Sequence, residues 1–183
     1  TLSSSSAASD VYKRQFLPYE KGISGGTESC IFEVPDVGIF GMHICYDLWF
    51  PETSRALAMQ GAEVIIHPSL TDTCDRNEEK IMARATAIQQ QCFYVDINSS
   101  GEQGCGQSTI LGPEGEVLTE AGTGEETLLI EVDFKRVNRV RRKGIKGLGQ
   151  PLKSFRDNRK PVHEMSHNED YLNDLGPLEM PKK

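Results

Sequence analysis

The sequence has no long hydrophobic run. No apolar stretch approaches the roughly 20 residues that span a bilayer, and charged residues make up 26% of the chain. Residues 1–15 contain no apolar segment of the kind that forms the centre of a secretory signal. We therefore expect a cytoplasmic protein with no membrane partner.

Closely paired cysteines are also absent. No Cys-x-x-Cys motif occurs among Cys30, Cys45, Cys74, Cys92 and Cys105. An odd number of well-separated cysteines is not typical of a disulfide framework, and structural zinc sites usually use closely spaced ligand pairs. We expect reduced thiols and no bound metal.

The chain has no excess of positive charge. Its 20 Lys and Arg residues face 27 Asp and Glu residues, and the net charge is −7. This composition argues against non-specific nucleic-acid binding. Basic residues do cluster at residues 135–146, but no aromatic side chains are interleaved with them, which favours a solvated helix face. We expect no nucleic-acid partner.

The sequence does contain alternating strand and helix patterns. Strands are predicted at residues 30–34, 37–44, 62–67, 92–97, 107–111 and 116–118. Helices are predicted at residues 53–60, 77–91 and 133–142, and residues 127–132 are β-rich. Strands that alternate with helices are typical of an α/β fold.

The most informative stretch runs from Gly38 to Glu52. Its first half is short and apolar, as expected of a buried strand. Asp47 can cap the next element, and Pro51 suits the first turn of a helix. Cys45 is thereby predicted on a strand-to-helix turn, where a thiolate is favoured and backbone N–H groups can bind an oxyanion. From position alone, a small buried apolar cysteine is the commoner outcome.

The string Cys45-Tyr46-Asp47-Leu48-Trp49-Phe50-Pro51-Glu52 resembles the nucleophile motif of the nitrilase superfamily, the carbon–nitrogen hydrolases. That motif has Cys, any residue, Asp, two variable residues, an aromatic residue, Pro and Glu. Five further segments between about residues 16 and 142 resemble family blocks in the family's order, namely Leu17–Gly22, Arg55–Glu63, Arg84–Ala87, Tyr94–Gly101 and Gly106–Gly115.

This resemblance implies a fold, a reaction and a partner. The fold is the α-β-β-α sandwich of the nitrilase type, commonly paired into dimers by helices. The reaction is cleavage of amides or nitriles, or acyl transfer, without metal or cofactor. The implied partners are a small-molecule amide or nitrile and further copies of the chain, as a homodimer or larger homo-oligomer.

The resemblance also implies roles for individual residues. Cys45 attacks the carbonyl or nitrile carbon and forms a thioester. The Tyr46 backbone N–H and a lysine stabilise the oxyanion, and Glu20 positions the lysine or the incoming amine or water. The family's lysine would fall at Tyr12, one place from Lys13, so we assign no residue to that role. The family's first glutamate, the general base, would lie far upstream of Glu20.

These departures lead to an expected domain organisation and an alternative function. Residues 1–15 are predicted to be disordered or a non-native leader, residues 16–142 the C-terminal two-thirds of a carbon–nitrogen hydrolase domain, and residues 143–183 a C-terminal extension. The alternative to a thiol hydrolase is a catalytically incomplete fragment, or a non-catalytic interaction subunit with the same fold.

For several side chains near Cys45, the sequence does not decide between a packing role and a functional role. His43 is predicted to be core, although a Cys–His pair as in thiol proteases is the rival interpretation. His67 ends a parallel strand, where ligands bind in α/β sheets, and we include it with Pro68 and Ser69 as candidate substrate-binding residues. Trp49 either shapes the substrate cavity or belongs to the core.

Overall fold

The computed structural model describes residues 26, 28–72, 74–101, 104–158 and 168–177. Within them the chain forms six strands: β1 Cys30–Val34, β2 Gly38–Met42, β3 Val64–Ser69, β4 Phe93–Asn98, β5 Thr109–Leu111 and β6 Val117–Glu120. The helices are α1 Pro51–Met59, α2 Arg76–Gln90, α3 Phe134–Lys143, α4 Pro151–Asp157 and α5 Glu169–Asp174, and a 3₁₀ helix spans Cys45–Trp49.

The strands form one mixed sheet in the order β1-β2-β3-β4-β5-β6. The pairs β2–β3 and β3–β4 are parallel, and the outer pairs are antiparallel. Parallel neighbours require a crossover connection, which α1 and α2 supply. The predicted α/β class is confirmed.

Helices cover the two faces of the sheet unequally. On one face, α1 and α2 close over a buried cluster that includes Leu57, Ile65, Ala83 and Tyr94. On the other, Val137 of α3 packs against Val64 and Phe93. Away from α3 this second face is partly open: Phe32 is 41% exposed and Ile97 is 46% exposed.

Local sequence explains where the elements begin and end. The predicted hairpin around Pro35 and Asp36 is confirmed, and Asp36 has a φ of 61° in its turn. Pro51 occupies the first position of α1, where its missing N–H leaves no bond unmade. Gly61 has a φ of 104°, which suits glycine and lets the chain reverse from α1 into β3.

The structure differs from the sequence prediction most clearly at three segments. β5 begins at Thr109 rather than at Gln107, because Gln107 has a φ of 60° and an extended strand cannot hold that conformation. β3 continues through Pro68 to Ser69. Residues 127–132 form no strand within the described part of the chain, and Leu129 is 89% exposed.

The segment after Gly144 returns to the body of the same chain. The Gln91 side-chain amide donates hydrogen bonds to the carbonyl oxygens of Val140 and Gly149, each at 3.1 Å. The Arg55 guanidinium lies 5.6 Å from the centroid of the Phe155 ring of α4. None of the helices in the described ranges has the length and apolar character needed to cross a bilayer.

Leu57→Ala should destabilise the protein because Leu57 is 1% exposed and belongs to the buried cluster under α1. Removing a buried leucine side chain leaves a cavity, so we expect a loss of about 2–5 kcal/mol in the free energy of unfolding, measured by urea denaturation. Met59→Ala, on the same helix but 42% exposed, is the control, and equal losses in both variants would contradict this account of the core.

Candidate active site

Cys45 lies on a sharp turn at the end of β2. It begins the 3₁₀ helix Cys45–Trp49 and has a φ of 51°, in the left-handed region that residues with a side chain seldom occupy. Its side chain is half-buried. Strained backbone of this kind concentrates at functional sites, where the surrounding structure holds it in place.

Hydrogen bonds from two side chains to the backbone stabilise this turn. The Asp47 carboxylate is fully buried and accepts a hydrogen bond from the Ile44 backbone N–H at 3.0 Å. The Thr53 hydroxyl lies 2.9 Å from the carbonyl oxygen of Asp47. The capping role predicted for Asp47 is therefore found, but it acts on the 3₁₀ turn and not on α1.

His67 contacts the backbone of the nucleophile candidate. Its Nε2 lies 3.0 Å from the Cys45 carbonyl oxygen, and its Nδ1 lies 2.9 Å from Oδ1 of Asp96. His67 and Asp96 are direct partners in the parallel pairing of β3 with β4, and both side chains are fully buried. The pairing of two strands thus delivers a buried His–Asp unit to the turn.

Arg76 extends this unit at the start of α2. Its guanidinium donates to Oδ2 of Asp96 at 2.7 Å and to Oε2 of Glu79 at 3.1 Å. Burial alone would lower the pKa of Arg76, but Asp96 and Glu79 together raise it above its ordinary value. Burial raises the pKa of Glu79, against the opposing hydrogen bonds from Thr71 and Arg76. Arg76 therefore stays charged.

His43 belongs to a neighbouring buried group, as predicted for a core residue. Its Nδ1 lies 3.2 Å from the Thr53 hydroxyl and its Nε2 lies 2.8 Å from the Tyr94 hydroxyl. Burial, and then the charge of nearby His67, lowers the pKa of His43 well below its ordinary value. Burial likewise raises the pKa of Tyr94. His43 is therefore a neutral packing group whose two nitrogens face Thr53 and Tyr94.

Three aromatic rings at this turn pack against one another. The Tyr46 ring stacks on Trp49 with centroids 6.3 Å apart and meets Phe50 edge-on at 5.3 Å. Trp49 is 39% exposed, so it lies at the surface of the turn rather than in the core. Apolar rings beside a half-buried thiol can shape a cavity for a small substrate.

The remaining predicted site residues are only partly accounted for. Pro68 and Ser69 form the end of β3, and the Ser69 hydroxyl donates to Oδ1 of Asn98 at 3.3 Å. Glu20 and Lys13 lie outside the described residues. Across the described ranges, no group of three or more His, Cys, Asp or Glu side chains could hold a metal ion.

Sequence reasoning missed Asp96 and Arg76. The available signal was a carboxylate inside the apolar strand Phe93–Asn98, beside a histidine inside the apolar strand Val64–Ser69. Two buried polar residues in neighbouring strands need partners, and the register here pairs them with each other.

Comparison with known proteins places this arrangement in a family context. The family described as Carbon-nitrogen hydrolase matches residues 4–142. Omega-amidase NIT2 of Mus musculus is 28% identical over 127 residues, which cover 66% of this chain and 46% of that protein. 2-oxoglutaramate amidase of Bacillus subtilis (strain 168) is 33% identical over 123 residues, which cover 65% of this chain and 47% of that protein.

Comparison with solved structures also finds similarity to a member of the nitrilase superfamily. Nit3 of Saccharomyces cerevisiae, a member of branch 10 of the nitrilase superfamily, superimposes with a TM-score of 0.60 and 29% identity. The match covers 66% of this chain and 46% of the Nit3 chain. The chain spans about half the length of the curated relatives it matches.

The cysteines should differ sharply in their reactivity toward iodoacetamide. Cys74 is exposed, whereas Cys92 is fully buried and burial raises the pKa of its thiol to about 12. At pH 8 this lowers the thiolate fraction about a thousandfold relative to a thiol with a pKa of about 8.5. Peptide mapping by mass spectrometry should find Cys74 modified and Cys92 modified only after unfolding. Similar rates at both in folded protein would contradict this packing.

Proposed function

Because this chain belongs to the carbon–nitrogen hydrolase family, we propose that it hydrolyses the carbon–nitrogen bond of small linear amides, or of nitriles, through a thioester on Cys45. The observation that carries the proposal is Cys45 itself. It is the cysteine of the family's nucleophile string, and it lies on a left-handed turn braced by Asp47 and His67.

The proposed reaction on an amide has two halves. The Cys45 sulfur attacks the amide carbonyl carbon, a carbon–sulfur bond forms, and the carbonyl oxygen becomes an oxyanion. The oxyanion then collapses, the carbon–nitrogen bond breaks, and the nitrogen leaves as an amine or ammonia after taking up the proton that the thiol released. Water attacks the thioester in the second half, releasing a carboxylic acid and regenerating the thiol.

Each predicted site residue has a proposed part in this reaction. The Tyr46 N–H stabilises the oxyanion, and Trp49 and the Tyr46 ring shape the cavity beside the thiol. Glu20 positions the incoming water. His67, Pro68 and Ser69 form the second half of β3, which we propose lies next to the bound substrate. The general base and the lysine are assigned to no residue of this chain.

The proposed setting of the enzyme follows from the same family membership. The partner is a small-molecule amide, the protein works in the cytoplasm without a cofactor, and copies of the chain associate as a homodimer or larger homo-oligomer. Two matched relatives are named for omega-amides and for 2-oxoglutaramate, so linear amides with a terminal carboxamide are the first substrates to test.

Cys45→Ser should abolish hydrolysis while leaving the fold intact. The substitution replaces only the sulfur with oxygen, and a serine hydroxyl at this turn is a far poorer nucleophile than a thiolate. Ammonia release from a panel of linear terminal amides is the measurement, and intact-mass spectrometry of the wild-type protein mixed with substrate should show the thioester adduct.

Cys74→Ser is the matched control, because Cys74 is exposed and is not among the proposed site residues. It should hydrolyse the panel at the wild-type rate. Equal activity in Cys45→Ser and Cys74→Ser would overturn the assignment of the nucleophile. A wild-type protein that folds but neither releases ammonia nor forms an adduct would favour the alternative of a non-catalytic chain.

A further inference from the structure

Both ring nitrogens of His67 face hydrogen-bond acceptors. The Cys45 carbonyl oxygen, 3.0 Å from Nε2, can only accept a hydrogen bond. Oδ1 of Asp96 lies 2.9 Å from Nδ1, and the other oxygen of that carboxylate already accepts from Arg76. A neutral imidazole carries one N–H and could satisfy only one of these contacts, whereas an imidazolium satisfies both.

The surrounding charges accommodate an imidazolium. Arg76 is positive, and Asp96 and Glu79 are the two carboxylates bound to it. A positive His67 makes this buried group neutral overall, and a neutral His67 would leave it with one uncompensated negative charge. The other titratable side chains beside the ring are His43 and Tyr94, with centroids at 5.0 Å and 5.8 Å, and burial keeps both of them uncharged.

The contact between His67 and the Cys45 carbonyl oxygen orients the whole peptide unit that joins Cys45 to Tyr46. A trans peptide is planar, so the Cys45 C=O and the Tyr46 N–H belong to one rigid unit and point in opposite directions. Within the described residues every peptide bond is trans. The hydrogen bond from His67 to that carbonyl oxygen therefore also sets the direction of the Tyr46 N–H, on the far side of the unit.

We propose that His67, doubly protonated and held by Asp96, is a positioning residue that aims the Tyr46 N–H at the oxyanion formed on Cys45. This inference rests on the proposed function for its catalytic consequence. It also makes Asp96 and Arg76 the support of the oxyanion site, although neither touches the reacting atoms. A hydrogen-bonded chain then runs from the start of α2 to the nucleophile turn.

The first test is independent of catalysis. Nitrogen-15 NMR of the His67 ring in the wild-type protein at neutral pH should show two protonated nitrogens, which distinguishes imidazolium from both neutral tautomers. Asp96→Asn should convert the ring to one protonated nitrogen. A wild-type ring with one protonated nitrogen would overturn the proposal.

The second test compares variants of the same buried group. His67→Gln and Asp96→Asn should move the carbonyl carbon-13 shift of Cys45 and lower kcat about 10- to 100-fold with little change in KM, since a misdirected oxyanion donor loses part of the 10²–10³-fold effect of such a group. Tyr94→Phe is the control. It removes a buried hydroxyl that bonds His43 and should leave both readouts near wild type.

The outcomes separate this inference from the proposed function. If the wild-type protein hydrolyses no amide but shows the imidazolium and the Cys45 carbonyl shift in His67→Gln, the proposed function fails and the positioning of the peptide stands. If it does hydrolyse amides and His67→Gln loses no more kcat than Tyr94→Phe, the positioning role is wrong. Should His67→Gln fail to fold, the nitrogen-15 spectrum of the wild-type protein and the measurements on Asp96→Asn still test the positioning role of His67.

Discussion

The nucleophile turn depends on the register of β3 against β4. His67 and Asp96 meet because they are direct partners on neighbouring parallel strands. Side chains alternate between the two faces of a sheet, so a slip of one residue would place Asp96 on the opposite face from His67. The same register sets Ser69 beside Asn98, whose side chain bonds the backbone of Thr71 and Gly106. Correct pairing of these two strands therefore organises both the turn at Cys45 and the loop that follows β3.

Burial of this polar group makes it a demanding part of the core. His67 and Asp96 are fully buried, and Arg76 and Glu79 nearly so. Removing one member of such a group leaves a buried charge without its partner, which is far more destabilising than losing a surface ion pair. The group is satisfied only when strands β3 and β4 and helix α2 are all in place. Its formation is therefore a property of the assembled fold and not of any single segment.

Local pattern was enough to predict most strands and helices before residue 144 and the nucleophile candidate, but not the helices Pro151–Asp157 and Glu169–Asp174 or the buried network. The helix around Ala83, the strand around Ile65 and the turn at Cys45 follow from periodicity, β-branched residues and a specific string. The link between His67 and Asp96 joins residues 29 positions apart, and its existence depends on a strand register that sequence pattern alone does not fix. The short β5 differs for a similar reason, since the left-handed Gln107 is held by a bond from its N–H to the Gly122 carbonyl oxygen.

The left-handed backbone at Cys45 has an evolutionary consequence. A left-handed conformation costs a residue with a β-carbon about 1–2 kcal/mol, a penalty that glycine escapes. Selection for thermal stability alone would therefore favour glycine at position 45. Only selection for catalytic activity would keep a thiol there. In a lineage that had abandoned the reaction, this position should be among the first in the turn to change. The persistence of cysteine at a site that penalises it would then record which descendants still work as catalysts.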